Sequence, residues 1–356
     1  MKTETLKLNG SSEDVAKIGY AARLLEAGGL VAFPTETVYG LGADARNAEA
    51  LARLVAAKGR APDKPFALLI PSQAHAEELA GGLPHVARKL ARLYWPGPLT
   101  LVVRRAGGGA VGLRLPEHPV TRSLLAQCGF PLATPSANRS GQREPLTAAH
   151  VLEDLDGVIP LVLDGGPSWQ GRPSTVVRLD AAGPLQIQRQ GAVTAEELRE
   201  AARLTVLFVC TGNTCRSPMA EAFCREMLRV RTGANAPAPG LRVVSAGTRG
   251  EAGLPADPLA REVMREVHLD LSLHRTQSLN PKLLDHADWI FTMTRAHRES
   301  ILELMPECRE RVRLLSDRGQ DIPDPASESI EQYRFVRTRI FQGVAEAVKL
   351  ILGQAG

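Results

Sequence analysis

The chain has 356 residues, more than one hydrophobic core usually organises, so two domains is the natural expectation. Its 44% apolar and 23% charged residues are ordinary for a globular protein, and a net charge of +4 is far weaker than the basic bias of a domain that lives on nucleic acid. Five sparse cysteines, no apolar run in residues 1–10 and no stretch of about 18 apolar residues argue against a disulfide scaffold, a signal peptide and a membrane span, and favour the cytoplasm. No repeat interrupts the chain, and strand candidates alternate with amphipathic helix candidates, which predicts an α/β fold. In chain order, residues 30–33 read as a buried strand and 34–36 as a turn. Residues 48–58 carry Leu51, Leu54 and Val55 at helical spacing with Gly59 as the stop. Further strands are expected at 66–70, 99–104, 111–115, 161–163, 175–179 and 185–189. The alternation is not strict, so the sheet should be mixed. A helix over 194–203, with Thr194 as N-cap and Glu196 and Glu197 in its first turn, runs into a strand at 206–209. The boundary therefore falls near residue 204, giving domains 10–203 and 204–356.

Three clusters stand out in the first half. They are Pro34-Thr35-Glu36-Thr37-Val38-Tyr39-Gly40-Leu41-Gly42, Lys58-Gly59-Arg60 with Asp63-Lys64-Pro65-Phe66, and Pro135-Ser136-Ala137-Asn138-Arg139-Ser140-Gly141. Lys58 and Arg60 can neutralise a triphosphate together, Arg as the fork and Lys as the point charge. Ser136 and Asn138 in a Gly-bearing loop can ligate phosphate or ribose. Each cluster taken singly also reads as turn chemistry. The residues alone lead to a polyanion or nucleotide site and no further.

In the second half, Val206-Leu207-Phe208-Val209-Cys210-Thr211-Gly212-Asn213-Thr214-Cys215-Arg216-Ser217-Pro218 is a buried strand ending at a cysteine, a short loop, and Pro218 where a helix begins. A loop of Thr211, Gly212, Asn213, Thr214 and Cys215 can turn backbone N–H groups inward as a nest for a phosphate dianion, and the helix N-terminus adds positive charge there. Arg216, six residues after Cys210, can grip two phosphate oxygens. Cys210 is the candidate nucleophile, attacking as its thiolate, and Ser217 can donate a hydrogen bond to it. No Gly-Lys-Ser/Thr occurs here, which excludes a Walker-type site. A redox pair of Cys210 and Cys215 has Cys-x4-Cys rather than Cys-x-x-Cys spacing and would give Arg216 no purpose.

Residues 205–352 resemble the low-molecular-weight protein phosphatases, through the Cys210 loop, Val244-Ser245-Ala246-Gly247, His274-Arg275 and Asp324-Pro325, in that order. The resemblance implies a small Rossmann-like parallel sheet flanked by helices, no cofactor, and hydrolysis of a phosphorylated protein through a phosphocysteine. It places Asp324 as general acid and then base, with Asp321 as the rival, and His274 as a support for Asn213, a surface histidine being the alternative. Cys215 is either a reversible disulfide partner of Cys210 or a small packed residue. Tyrosine-directed relatives carry aromatics after Asp-Pro, where this chain has Ala326-Ser327, and Thr214 is the residue type of the arginine-directed branch. That branch also tends to keep an aromatic there, so phosphoarginine is favoured over phosphotyrosine only slightly.

Residues 15–200 resemble the YrdC-type threonylcarbamoyl-AMP synthases. The three clusters recur in family order with Trp95-Pro96-Gly97-Pro98-Leu99-Thr100, Gly112-Leu113-Arg114-Leu115-Pro116, Pro173-Ser174-Thr175-Val176-Val177 and Arg189. The resemblance implies a twisted mixed sheet with a concave basic face. It implies condensation of L-threonine, bicarbonate and ATP, with Mg²⁺ on the phosphates and no all-protein metal cage, to an adenylate used in N6-threonylcarbamoyladenosine synthesis on tRNA. Chemistry of this kind is mostly positioning and charge neutralisation, so no single catalytic base needs naming. Lys58, Arg60, Ser136, Asn138 and Arg189 should hold ATP. Thr35, Arg114, Thr134 and Ser174 should hold threonine, with Arg114 on its carboxylate. The alternative for this half is an RNA-binding module without catalysis, against which the modest charge and 4% aromatic content count.

Overall fold

A computed structural model of the chain describes residues 2–59, 65–179, 185–232, 241–316 and 318–354. The chain divides into two compact units, Met1–Ala201 and Ala202–Gly356. Among the described residues no helix is long and apolar enough to cross a membrane.

The first unit holds β1 (Glu4–Lys7), β2 (Val31–Phe33), β3 (Gly40–Asp44), β4 (Ala67–Leu69), β5 (Leu99–Arg104), β6 (Ala110–Arg114), β7 (Leu132–Ala133), β8 (Leu161–Asp164), β9 (Thr175–Arg178) and β10 (Gln186–Arg189). They form one sheet in the order β1-β8-β2-β3-β7-β4-β6-β5-β9-β10. Pairing is mixed: β1–β8, β2–β8, β4–β6 and β5–β9 are parallel, while β2–β3, β3–β7, β4–β7, β5–β6 and β9–β10 are antiparallel. Side-chain alternation along β2 sends Val31 and Phe33 to a core with Ile18, Leu25 and Leu163, and Ala32 to a second core with Leu41, Leu54 and Val151. Helix Ala48–Lys58 is capped at its start by Asn47, which accepts from the Glu49 and Ala50 N–H groups, and stopped by left-handed Gly59.

Gly40 to Gly42 belong to a cluster that reads as turn chemistry, and they open a strand, β3. Its glycines serve packing. A Cβ on Gly42 would lie 2.6 Å from the Phe33 ring, and one on Gly40 would lie 2.5 Å from Thr134 Cγ2. The bare backbone lets the neighbouring strands close over it. Helix Ala195–Ala201 opens with reciprocal bonds, the Glu197 N–H to Thr194 Oγ1 at 3.2 Å and the Thr194 N–H to Glu197 Oε2 at 2.8 Å.

The second unit is a four-stranded parallel sheet of β11 (Leu204–Cys210), β12 (Leu241–Gly247), β13 (Trp289–Thr292) and β14 (Val312–Leu314), ordered β12-β11-β13-β14. Both faces are covered. Val206, Phe208 and Cys210 enter one core with Met219, Tyr333 and Ile340, and Leu207 and Val209 enter another with Ile290 and Ile301. The carboxyl end of central β11 therefore delivers Cys210 to the start of helix Arg216–Thr232, the place where open parallel sheets bind ligands.

Candidate functional site

The loop between β11 and helix Arg216–Thr232 is shaped by buried polar groups. Asn213 is left-handed, with φ of 59°, and is fully buried. Its Nδ2 donates to Ser217 Oγ and Ser245 Oγ, both at 2.9 Å, and its Oδ1 accepts from the Gln277 N–H at 2.9 Å. His274 Nε2 lies 2.8 Å from the Asn213 carbonyl, so this ring nitrogen carries the proton and donates. The loop carbonyls are tied down as well: the Thr248 N–H donates to Cys210 O at 2.9 Å and the Arg249 N–H to Thr211 O at 3.0 Å. This close approach requires Gly247, on which a Cβ would sit 2.6 Å from Thr211 O.

Cys210 is 2% exposed, and its Sγ accepts from the Asn213 N–H at 3.3 Å. Ser217 Oγ stands 3.0 Å from that sulfur. Because Ser217 already accepts from Asn213, its own proton is directed at Cys210. Arg216 is 3% exposed. Its Nη1 donates to Ile322 O at 3.2 Å, and its Nη2 reaches Thr211 Oγ1 at 3.4 Å and forms an ion pair with Asp324 Oδ2. Arg216 Nε is buried with no protein partner, a donor suited to a phosphate oxygen. Asp324 is thus brought to the loop. Asp321 instead accepts from the Arg295 N–H at 2.9 Å, at the start of helix Arg295–Leu304. Cys215 Sγ lies 3.4 Å from both Tyr333 Oη and Thr214 Oγ1, and burial pushes its thiol pKa up. Ala326 and Ser327 are exposed, so no aromatic wall stands directly after Pro325.

In the first unit, a cavity of about 370 Å³ is lined by Thr35, Arg114, Thr134, Ser136, Ser174 and Arg189 among others. Lys58 and Asn138 do not line the cavity but bond to Ser136, which does: Lys58 Nζ donates to Ser136 O at 2.8 Å and Asn138 Oδ1 at 2.9 Å, and Ser136 Oγ donates to Asn138 Oδ1 at 2.7 Å. The Ser136 loop is zipped to the Tyr39–Gly40 segment by the Ala137 N–H to Tyr39 O bond (2.8 Å) and the Leu41 N–H to Pro135 O bond (2.8 Å). Ser174 Oγ lies 2.8 Å from Thr100 Oγ1, and Arg189 Nη2 donates to Ser174 O at 2.9 Å. Arg60, with Asp63 and Lys64, lies outside the described residues.

Arg114 is already partly committed. Its Nε donates to Gly97 O at 3.1 Å, and its Nη2 pairs with Glu36 Oε1 at 2.6 Å and reaches Thr37 Oγ1 at 2.9 Å. Glu36 is fully buried, so an ion pair holds the guanidinium in place before any ligand arrives. Thr35 Oγ1 donates to Val38 O at 2.6 Å, which shapes the turn that carries Glu36. Sequence reasoning gave no role to Glu36, Thr37, Thr100, Ser245, Gln277 or His297. Glu36, Thr37, Thr100 and Ser245 lie inside quoted motifs and could have been found there. Gln277 and His297 come from distant elements and carry no local signal.

Residues 23–191 match the Sua5–YciO–YrdC family model, described as telomere recombination, and residues 205–352 match the family described as low molecular weight phosphotyrosine protein phosphatase. The Bacillus subtilis threonylcarbamoyl-AMP synthase is 41% identical over 192 residues, covering 51% of this chain and 55% of that protein. The chain thus spans about half the length of the first curated relatives it matches. A putative threonylcarbamoyl-AMP synthase of Mycobacterium tuberculosis is 40% identical over 207 residues, 56% of this chain and 94% of that one. The crystal structure of P. abyssi Sua5 complexed with L-threonine aligns with a TM-score of 0.53 at 26% identity, covering 96% of this chain and 98% of that one.

Proposed function

From the premise that the chain belongs to the Sua5–YciO–YrdC family through its first half and carries a low-molecular-weight phosphatase domain in its second, we propose that it is a bifunctional enzyme. The observation that carries the phosphatase reading is the constellation on one loop: Cys210 with the Ser217 hydroxyl 3.0 Å from its sulfur, beside an Arg216 whose buried Nε has no protein partner. The Cys210 thiolate attacks phosphorus. A P–S bond forms as the bond to the leaving group breaks, and Asp324 delivers the proton that the leaving atom needs. Phosphate oxygens displace Asp324 from Arg216, and the freed carboxylate takes up a proton from solvent before it acts as the acid. Asp324 then takes a proton from water, which attacks phosphorus, expels the Cys210 thiolate and leaves inorganic phosphate. Thr214 in the loop favours phosphoarginine over phosphotyrosine as substrate, and only slightly, because Ala326-Ser327 lack the aromatic that both branches tend to carry after Asp-Pro.

The first unit condenses L-threonine, bicarbonate and ATP to threonylcarbamoyl-AMP and pyrophosphate, for N6-threonylcarbamoyladenosine synthesis on tRNA. Lys58, Arg60, Ser136, Asn138 and Arg189 hold ATP, while Thr35, Arg114, Thr134 and Ser174 hold threonine. Arg114, braced by Glu36, meets the threonine carboxylate. Among the described residues no group of three His, Cys, Asp or Glu side chains could hold a metal, and Mg²⁺ belongs in this reading with ATP as part of the substrate. Catalysis of this kind is positioning and charge neutralisation.

Two assays on the full chain test the proposal. Pyrophosphate should appear only when ATP, L-threonine and bicarbonate are all present; release independent of threonine, or none, would leave a binding module. Phosphate should be released faster from a phosphoarginine peptide than from a matched phosphotyrosine peptide, with Cys210→Ser as the blank. The reverse preference would refute the substrate assignment.

A further inference from the structure

One buried ionisable group beside the phosphate loop takes no part in this scheme. His297 lies in the first turn of helix Arg295–Leu304 and is 6% exposed. Both ring nitrogens face hydroxyls: Nδ1 is 2.9 Å from Thr294 Oγ1, and Nε2 is 2.9 Å from Thr211 Oγ1. What the hydroxyls already do gives the direction of each bond. Thr211 Oγ1 accepts from Arg216 Nη2 in a long 3.4 Å contact, which leaves its own proton for His297 Nε2. Nδ1 then carries the ring proton and donates to Thr294 Oγ1, which also accepts from the His297 N–H at 3.3 Å.

We propose that His297 is a positioning residue of the phosphatase site: its neutral ring accepts the Thr211 proton and so turns the Thr211 oxygen toward Arg216. The inference rests on the phosphatase reading and adds to it the question of what holds Arg216 during turnover. Nη1 is anchored on Ile322 O throughout. Nη2 is shared between Asp324 and Thr211, and Asp324 must leave it to serve as the acid. Thr211 is then the side chain that remains on Nη2, and a neutral hydroxyl steers the guanidinium without cancelling the charge that the phosphoryl group needs. Burial, together with the charge of Arg216, pushes the His297 pKa down to about 4 against the opposing pull of Asp324 and Asp321, which keeps the ring neutral.

The test uses the full chain with p-nitrophenyl phosphate as substrate and inorganic phosphate as competitive inhibitor. His297→Ala should lower kcat/KM about tenfold and weaken phosphate inhibition, the effect of losing one hydrogen bond in a network on a charged group. Thr211→Val should do the same, and the double variant should be no worse than either single one, because the two residues act as a unit. His297→Gln, whose carboxamide oxygen can accept the Thr211 proton, should recover most of the loss, which a merely structural role would not predict. If His297→Ala loses its fold, Thr211→Val with and without His297→Gln makes the same comparison. Activity of His297→Ala within about twofold of the parent, or additive losses in the double variant, would overturn the inference while leaving the phosphatase intact. A parent chain that releases no phosphate would instead overturn the phosphatase reading itself.

Discussion

Gly42 is a packing residue in a place where glycine suggests a turn. Its φ is not in the left-handed region, its register partner on β2 is Val31, and the buried ring of Phe33 two residues along lies 2.6 Å from where a Cβ would be. Phe33 lies among Ile18, Leu25 and Leu124 and has no exposed side to move toward. Gly42→Ala should therefore cost about 1–3 kcal/mol of stability by overpacking. Gly353→Ala is the control: Gly353 is in the last helix, and no atom lies within 4 Å of its added Cβ. Denaturant midpoints of the full chain would read the difference, and equal midpoints would contradict the packing argument. The same scale explains Arg114. A charged side chain 6% exposed would be costly if it waited alone for a substrate carboxylate, and the buried Glu36 carboxylate balances it.

At the level of elements, the start of helix Arg295–Leu304 carries a titratable group whose sign can be worked out. His297 has a folded-state pKa of about 4, below its ordinary value of 6.5, so between these values the unfolded chain binds the proton and the folded chain does not. Stability contributed by neutral His297 is full above pH 6.5 and falls as pH drops toward 4. The groups that act on it are Arg216, Asp324 and Asp321. The thermal midpoint of His297→Gln should accordingly fall less than that of the parent between pH 6.5 and 4.5; parallel falls would remove His297 from the account. Elements also show what could be read from the sequence. β11 and its loop were legible because an apolar run, a cysteine, an arginine and a proline are consecutive in the chain. β1 was hidden by its polar residues, Glu4 to Lys7, and β7 by its length of two residues. β3 was hidden because Gly40 and Gly42 are needed by side chains of the neighbouring strands, the distant Thr134 and Phe33. Among site residues, Cys210, Ser217 and Arg216 lie in one segment. Ser245, Gln277 and His297 reach the same loop from three other segments, and only tertiary structure brings them there.

Across the whole molecule, two α/β units use different sheets for related ends. In the first, a mixed ten-stranded sheet gathers polar side chains from the Thr35 turn, β6, the Ser136 loop, β9 and β10 around one cavity. In the second, a four-stranded parallel sheet aims one strand end and one helix N-terminus at a single loop. Basic side chains stand at both, Arg189 on the cavity of the first and Arg216 on the loop of the second, although the chain as a whole carries a net charge of only +4. The central chemical claim is that Cys210 carries the phosphoryl group. Its most direct test is the mass of Asp324→Ala enzyme quenched during turnover of a phosphopeptide, since loss of the base should let the intermediate accumulate. One phosphoryl group on the peptide containing Cys210, absent from the Cys210→Ala chain, is the predicted result. A phosphoryl group on any other residue, or turnover undiminished in Cys210→Ser, would contradict the account.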